Sequence, residues 1–233
     1  MSVGPQDVAA NLNEVRARIA RACALAGRGA DEVRLVAVCK GQSAQAVRAA
    51  HAAGQRDFGE NYVQELKAKR DALADLADLR LRLIGRLQRN KAKIAADLAT
   101  AVDSVDSAEL AAELSRRAGA LGRTLEVLLQ VNVDREPQKA GVLPEALPAL
   151  VDTVRALPAL SLQGLMAIPR ADDDLDLMRP AFAALRELAR THGLRELSMG
   201  MSADLEVAVA EGATIVRVGT AIFGARAAPA AGA

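Results

Sequence analysis

The alternation of two hydrophobic periods along the chain constrains its fold most strongly. Short runs of about five residues, rich in leucine and β-branched side chains, alternate with stretches whose apolar residues recur at helical spacing. Such alternation indicates repeated strand–helix–strand units and a parallel sheet. Eight candidate strands begin near Arg34, Arg56, Leu81, Thr100, Leu125, Leu160, Glu196 and Thr214.

Eight strand–helix units with short connections predict an α/β fold, a closed (β/α)8 barrel rather than an open doubly wound sheet. An additional helix precedes the first strand. We expect one domain over 1–233 with its core at about 5–227, and a disordered Ala-rich tail at 228–233. Helical stretches between the strands begin at Ser43, Asn61, Ser107 and Leu175, and several of them end at glycine.

Composition excludes several classes of function. The net charge is only +1, which implies neither a nucleic acid nor an acidic membrane as partner. Cys23, Cys39, His51 and His192 show no metal-ligand spacing, so we predict no metal site and a reducing compartment. The N-terminus lacks a basic and then apolar signal, and no apolar run approaches the roughly 18 residues that span a bilayer. We therefore expect a cytoplasmic protein.

Lys40 stands at the end of the first strand segment, RLVAVCK. In parallel barrels the functional groups collect at the C-terminal ends of the strands. A desolvated lysine in such a mouth can act as an amine nucleophile toward an aldehyde. Position alone favours the simpler interpretation, a solvated lysine that ends a strand, so other features must decide.

Two turns of small residues near the C-terminus predict an anion site. SMGMS closes the seventh strand and VRVGT closes the eighth, and each leads into a helix. Turns beside helix N-termini expose backbone N–H groups to an anion. The common phosphate site of barrel enzymes lies after strands seven and eight. This location selects Ser202, Gly219 and Thr220.

Arg217 is predicted to face the barrel interior. Alternation along TIVRVG places Val216 and Val218 on one face and Arg217 on the other. A buried guanidinium stays charged and is costly without a partner. Either an internal salt bridge or the acceptor atom of a ligand would supply one.

Other polar residues have simpler explanations beside functional ones. Gln130 and Asn132 share a strand face and are either satisfied core amides or polar groups of the barrel mouth. Asn61, with Glu60 beside it, is interpreted first as a helix N-cap. Lys139 is interpreted as a loop lysine. A solvated helix face is the interpretation for the basic run of Arg86, Arg89, Lys91 and Lys93.

Seven segments resemble one family in order and in combination. They are VCK at Val38, FGENYVQE at Phe58, IGRLQRNK at Ile84, QVN at Gln130, GLMAIP at Gly164, SMGMSAD at Ser198 and VRVGTAIFGAR at Val216. The chain resembles the pyridoxal phosphate homeostasis proteins, which are similar to the N-terminal barrel domain of alanine racemase. The resemblance covers nearly the whole chain.

The resemblance implies that Lys40 holds pyridoxal 5′-phosphate as a Schiff base and that Arg217 faces the pyridine nitrogen. A permanent cation there keeps the nitrogen unprotonated, which makes the ring a poorer electron sink. Asn61 is included among the cofactor-binding residues. The residues implied to bind the phosphate are those of the last two loops, Ser202, Gly219 and Thr220.

The function that the resemblance implies is non-catalytic: the protein buffers or supplies the cofactor in vitamin B6 homeostasis. Its expected partners are the cofactor and apo-enzymes that use it, and we expect a monomer or a weak homodimer. Racemases continue into a second domain that supplies a catalytic tyrosine, and Tyr62 is no obvious substitute for it. The alternatives are a racemase or lyase that uses the same linkage, and a Schiff-base aldolase acting on a sugar phosphate.

Two departures from the family pattern concern the first and third strands. Leu81, Arg82 and Leu83 stand where the family often reads Trp-His-Phe, and Cys39 replaces the usual serine before the lysine. Any role that the family gives to that histidine does not carry over. Lys40 and the phosphate loops are unaffected.

Overall fold

Eight parallel strands close into a barrel in chain order. The computed structural model describes residues 5–170, 172 and 174–224. Each strand starts within one residue of its predicted position, so the predicted barrel is confirmed. The strands are β1 Arg34–Val38, β2 Asp57–Glu60, β3 Arg80–Leu83, β4 Ala101–Val105, β5 Leu125–Gln130, β6 Leu160–Met166, β7 Glu196–Ser198 and β8 Ile215–Val218.

Helices follow the strands, and the predicted additional helix precedes β1. That first helix packs on the helices that follow β1, β7 and β8. Within the described ranges, no helix is long and apolar enough to cross a membrane. The helices are α1 Pro5–Leu25, α2 Ala44–Ala52, α3 Val63–Ala72, α4 Ala92–Leu98, α5 Ala108–Ala120, α6 Leu147–Arg155, α7 Arg179–Thr191, α8 Leu205–Ala210 and α9 Thr220–Phe223.

Two of the predicted helix starts are confirmed by their capping bonds. The hydroxyl of Ser43 accepts from the N–H of Ala46, and that of Ser107 accepts from the N–H of Leu110. Such bonds satisfy backbone donors that the first turn of a helix leaves free.

The prediction that Asn61 is a helix N-cap is wrong. The backbone stays extended through Tyr62, at φ −123° and ψ 131°, so α3 begins one residue later. Asn61 instead lies in the bend between β2 and α3. The helical stretch predicted to begin at Leu175 also differs, because a short 3-10 segment at Leu175–Met178 precedes α7.

The apolar core has two parts, one outside the barrel and one inside it. A large cluster between strands and helices contains Val216 and Val218. A small separate cluster inside the barrel consists of Val36, Leu128, Met166 and Ile215. This division confirms the predicted alternation of β8. The tail predicted at 228–233 lies outside the described residues.

Ion pairs fill much of the barrel interior below the mouth. Arg82 and Asp103 are buried at 1% and 0% side-chain exposure, with Nη2 of the arginine 2.8 Å from Oδ1 of the aspartate. Glu126 and Glu196 lie 3.9 and 4.0 Å from the same guanidinium. Burial acts to lower the pKa of Arg82, but the carboxylates of Asp103, Glu196 and Asp57 together outweigh it and raise that pKa. Arg82, one of the residues that depart from the family pattern, therefore has its charge neutralised by carboxylates inside the barrel.

Candidate functional site

A cavity of about 510 Å³ opens at the C-terminal ends of the strands. Its volume lies within the range of small-molecule sites. All six residues predicted to bind the cofactor line it: Lys40, Asn61, Ser202, Arg217, Gly219 and Thr220. They come from the loops after β1, β2, β7 and β8, from β8 itself and from the first residue of α9, so the fold brings together positions far apart in the sequence.

Lys40 lies two residues beyond the end of β1. Val38 and Lys40 both line the cavity, whereas Cys39 between them is buried on the opposite side. Gly41 has φ 70°, a conformation that suits glycine, and it turns the chain away after the lysine. Among the described residues, Lys40 makes no hydrogen bond or ion pair, so its amine is available to a ligand in the cavity.

Arg217 is 4% exposed and reaches the cavity from β8. Its Nη1 donates to Ser198 Oγ at 2.8 Å, and its Nη2 donates to the carbonyl oxygen of Ala167 at 2.9 Å. Both acceptors are neutral, and no carboxylate of the described chain forms a salt bridge with Arg217. Burial lowers the pKa of Arg217, yet an arginine remains charged in proteins. The cation and its unused donors are therefore open to a ligand.

The two small-residue turns lie beside each other at one side of the cavity. Ser202 lies in the turn between β7 and α8, and Gly219 immediately precedes α9. A Cβ atom on Gly219 would lie 3.1 Å from the carbonyl oxygen of Val38, so glycine permits close approach to the end of β1. Arg18 of α1 donates to the carbonyl oxygen of Ser202 at 3.0 Å and supports that turn from behind.

Gln130 and Asn132 both line the cavity and are both satisfied amides. The Gln130 amide donates to the carbonyl oxygen of Ala140 at 3.0 Å, and the Asn132 amide donates to that of Glu136 at 2.8 Å. Both interpretations drawn from the sequence therefore apply: the two side chains are satisfied amides, and they are also polar groups of the barrel mouth. Their bonds hold the loop between β5 and α6 against the mouth.

Arg86 and Lys139 also line the cavity, although neither was singled out as a site residue. The helix-face interpretation is wrong for Arg86, which lies in the loop directly after β3. Lys139 is a loop lysine, as predicted, but its ammonium pairs with Glu136 at 2.6 Å beside the mouth. The available signal was their position after the ends of β3 and β5, because those ends converge in a barrel.

Comparison with known proteins defines the class to which the chain belongs. The family described as "Alanine racemase, N-terminal domain" matches residues 10–227. The fold is also similar to alanine racemase of Corynebacterium glutamicum, with a TM-score of 0.69 at 19% identity over 98% of this chain and 63% of that one. The fold class is therefore an alanine racemase-like barrel.

Nearer relatives identify the family within that class. The Pyridoxal phosphate homeostasis proteins of Pseudomonas aeruginosa and Aquifex aeolicus are 51% and 42% identical, over 94% and 92% of this chain and 96% of each relative. PipY of Synechococcus elongatus PCC7942, solved with PLP bound, has a TM-score of 0.83 at 41% identity, covering 93% of this chain and 100% of that one. The chain belongs to the pyridoxal phosphate homeostasis protein family.

Proposed function

We propose that the chain binds pyridoxal 5′-phosphate as a Schiff base on Lys40 and acts in vitamin B6 homeostasis by holding and supplying the cofactor. The single observation that carries the proposal is that one cavity is lined by a lysine amine without a partner among the described residues and by a buried arginine, Arg217, without a salt bridge there. A phosphorylated pyridine aldehyde offers a partner to each: an electrophilic carbon for Lys40 and a ring-nitrogen acceptor for Arg217. The names of the curated relatives and the PLP-bound PipY structure support this choice of ligand.

The remaining site residues have separate tasks in this proposal. Ser202, Gly219 and Thr220 bind the phosphate through backbone and hydroxyl donors, at on the order of 1.5–3 kcal/mol for each bond to the charged group. Asn61 borders the cofactor on the β2 side. The cofactor supplies an aldehyde and a conjugated ring when bound, and the chain supplies its position.

We propose that the protein is not an enzyme. A racemase needs an acid and a base on opposite faces of the substrate carbon, and the described cavity lining contains no histidine, cysteine, tyrosine or carboxylate. Lys139 is the residue that a racemase or lyase would have to use, because it is the second lysine of the lining. Its pairing with Glu136 favours a structural role in the loop.

The test is borohydride reduction of the protein after loading with pyridoxal phosphate, followed by intact-mass measurement and mapping of the modified peptide. We expect one adduct on Lys40, its loss in Lys40→Ala, and its retention in the matched variant Lys139→Ala. An adduct that persists in Lys40→Ala and maps to Lys139 would overturn the assignment.

The same protein preparation separates the alternatives. Exchange of the α-hydrogen of alanine in deuterated water at enzyme-like rates, abolished in Lys139→Ala, would favour a racemase. Trapping of a sugar phosphate instead of pyridoxal phosphate would favour an aldolase. We expect neither result. Transfer of the bound cofactor to an apo-enzyme, by a monomer or a weak homodimer, completes the proposal.

A further inference from the structure

A buried lysine lies behind the loop that carries Lys40, on the side away from the cavity. Lys69, on α3, is 5% exposed. Lysine is almost never buried to this degree unless it is paired. Its ammonium pairs with two carboxylates, Glu60 at the end of β2 and Glu65 on α3. Each carboxylate in turn contacts a residue adjacent to Lys40.

The first connection runs to the residue before Lys40. Glu60 is fully buried, and its Oε1 atom accepts from Sγ of Cys39 at 3.1 Å. Burial raises the pKa of the Cys39 thiol well above its usual value, so the group stays protonated and acts as a donor. The backbone N–H of Cys39 also donates to the carbonyl oxygen of Gly59 at 2.9 Å.

The second connection runs to the residue after Lys40. The N–H of Gly41 donates to Oε2 of Glu65 at 2.6 Å, and the same oxygen lies 3.5 Å from Nζ of Lys69. One ammonium therefore orients two carboxylates: Glu60, which accepts from the Cys39 thiol, and Glu65, which accepts from the Gly41 N–H. Lys40 itself has no partner within the described part of the chain, and it lines the cavity.

We infer that Lys69 is a positioning residue, which holds the backbone around Lys40 so that the Lys40 amine meets the aldehyde carbon in a reactive geometry. The inference rests on the proposed attachment at Lys40. Loss of the Lys69 charge would leave Glu60 buried without its cation and would loosen both connections. Because a misplacement of about 1 Å can slow a reaction about 100-fold, we expect attachment to slow roughly tenfold or more.

Saturation kinetics of cofactor attachment, followed by absorbance, test this role. The half-saturation concentration reports capture by the phosphate turns, whereas the limiting rate reports the step at Lys40. We expect Lys69→Met to lower the limiting rate roughly tenfold or more with little change in half-saturation. Lys69→Arg, which keeps the cation, should recover part of the rate.

Lys67 provides a matched control on the same helix. It forms an exposed ion pair with Asp71, and Lys67→Met should attach the cofactor at the wild-type rate. If Lys69→Met does not fold, Glu65→Ala tests the connection to Gly41 alone, with a smaller loss of limiting rate expected. The far-UV circular dichroism of each variant reports whether it is folded.

The outcomes separate the inference from the proposed function. Absence of a wild-type adduct on Lys40 would mean that the proposed function fails. A wild-type adduct together with an unchanged limiting rate in Lys69→Met, or in Glu65→Ala where Lys69→Met is unfolded, would overturn the inference. So would an equal slowing in Lys67→Met, since the effect would then not depend on the buried charge.

Discussion

Replacing Arg82 with methionine should destabilise the protein strongly, because it leaves a buried carboxylate without its cation. Nε and Nη2 of Arg82 donate to Asp103 in three contacts, of 2.8, 3.1 and 3.3 Å. Both side chains are almost completely buried. Glu126 and Glu196 also lie near the guanidinium and would lose its charge.

The expected cost is a large part of the whole stability. Removing one partner of a buried pair destabilises by about 3–5 kcal/mol, whereas replacing both partners with apolar residues is often neutral or stabilising. A domain has about 5–15 kcal/mol in total. The double variant Arg82→Met/Asp103→Leu should therefore be more stable than Arg82→Met alone. It should not gain stability outright, because Glu126 loses its contact with Arg82, at 3.9 Å, and keeps only the one with Arg80, at 3.8 Å.

Urea unfolding at pH 7 without ligand, followed by circular dichroism, measures these differences. Equal dependence of the unfolding free energy on urea would show that the variants unfold the same surface. A cost below about 1 kcal/mol for Arg82→Met would refute the reasoning, since an unpaired buried carboxylate cannot be that cheap. The two residues would be uncoupled if the double variant lost as much unfolding free energy as Arg82→Met and Asp103→Leu lose in sum, and that result would refute the reasoning.

Two further perturbations test the site. Arg217→Gln should leave the cofactor bound but shift its absorption and the midpoint of its pH titration, because the ring nitrogen loses a fixed positive neighbour; unchanged spectra across the titration would remove this role. Arg18→Met removes the bond to Ser202 and the ion pair with Glu206 that orients Arg18; it should weaken equilibrium binding of pyridoxal phosphate about two- to tenfold. Arg21→Met, which removes an exposed pair with Glu14, should bind as the wild type does, and equal affinities in all three proteins would contradict the support role.

The barrel could be predicted because each strand carries its own local signal. The β8 segment shows this: two valines alternate with Ile215 and Arg217, and the pattern alone separated the outer core from the interior. Helix bounds were less predictable, because they depend on where the chain leaves the sheet. Asn61 has the side chain of an N-cap, but the extended backbone after β2 delays the helix by one residue.

The site could be predicted only where strand ends determine position. Lys40 and Gly219 follow strands, so a closed barrel brings them to one mouth. Arg86 and Lys139 also follow strand ends, of β3 and β5, but whether a residue several positions along a loop reaches the cavity depends on the path of that loop. Lys69 was also missed, because one helical lysine among several looks exposed until the packing of α3 is known.

The two arginines inside the barrel differ in the partners of their guanidinium groups. Arg82 lies among carboxylates, and its charge is neutralised within the protein. Arg217 donates only to a hydroxyl and a carbonyl oxygen, although a guanidinium has five donors. No carboxylate of the described residues forms a salt bridge with Arg217, and Asp103 and Asp204 act on its charge only from a greater distance. We propose that the remaining donors of Arg217 serve an acceptor of the bound cofactor, because the arginine lines the cavity.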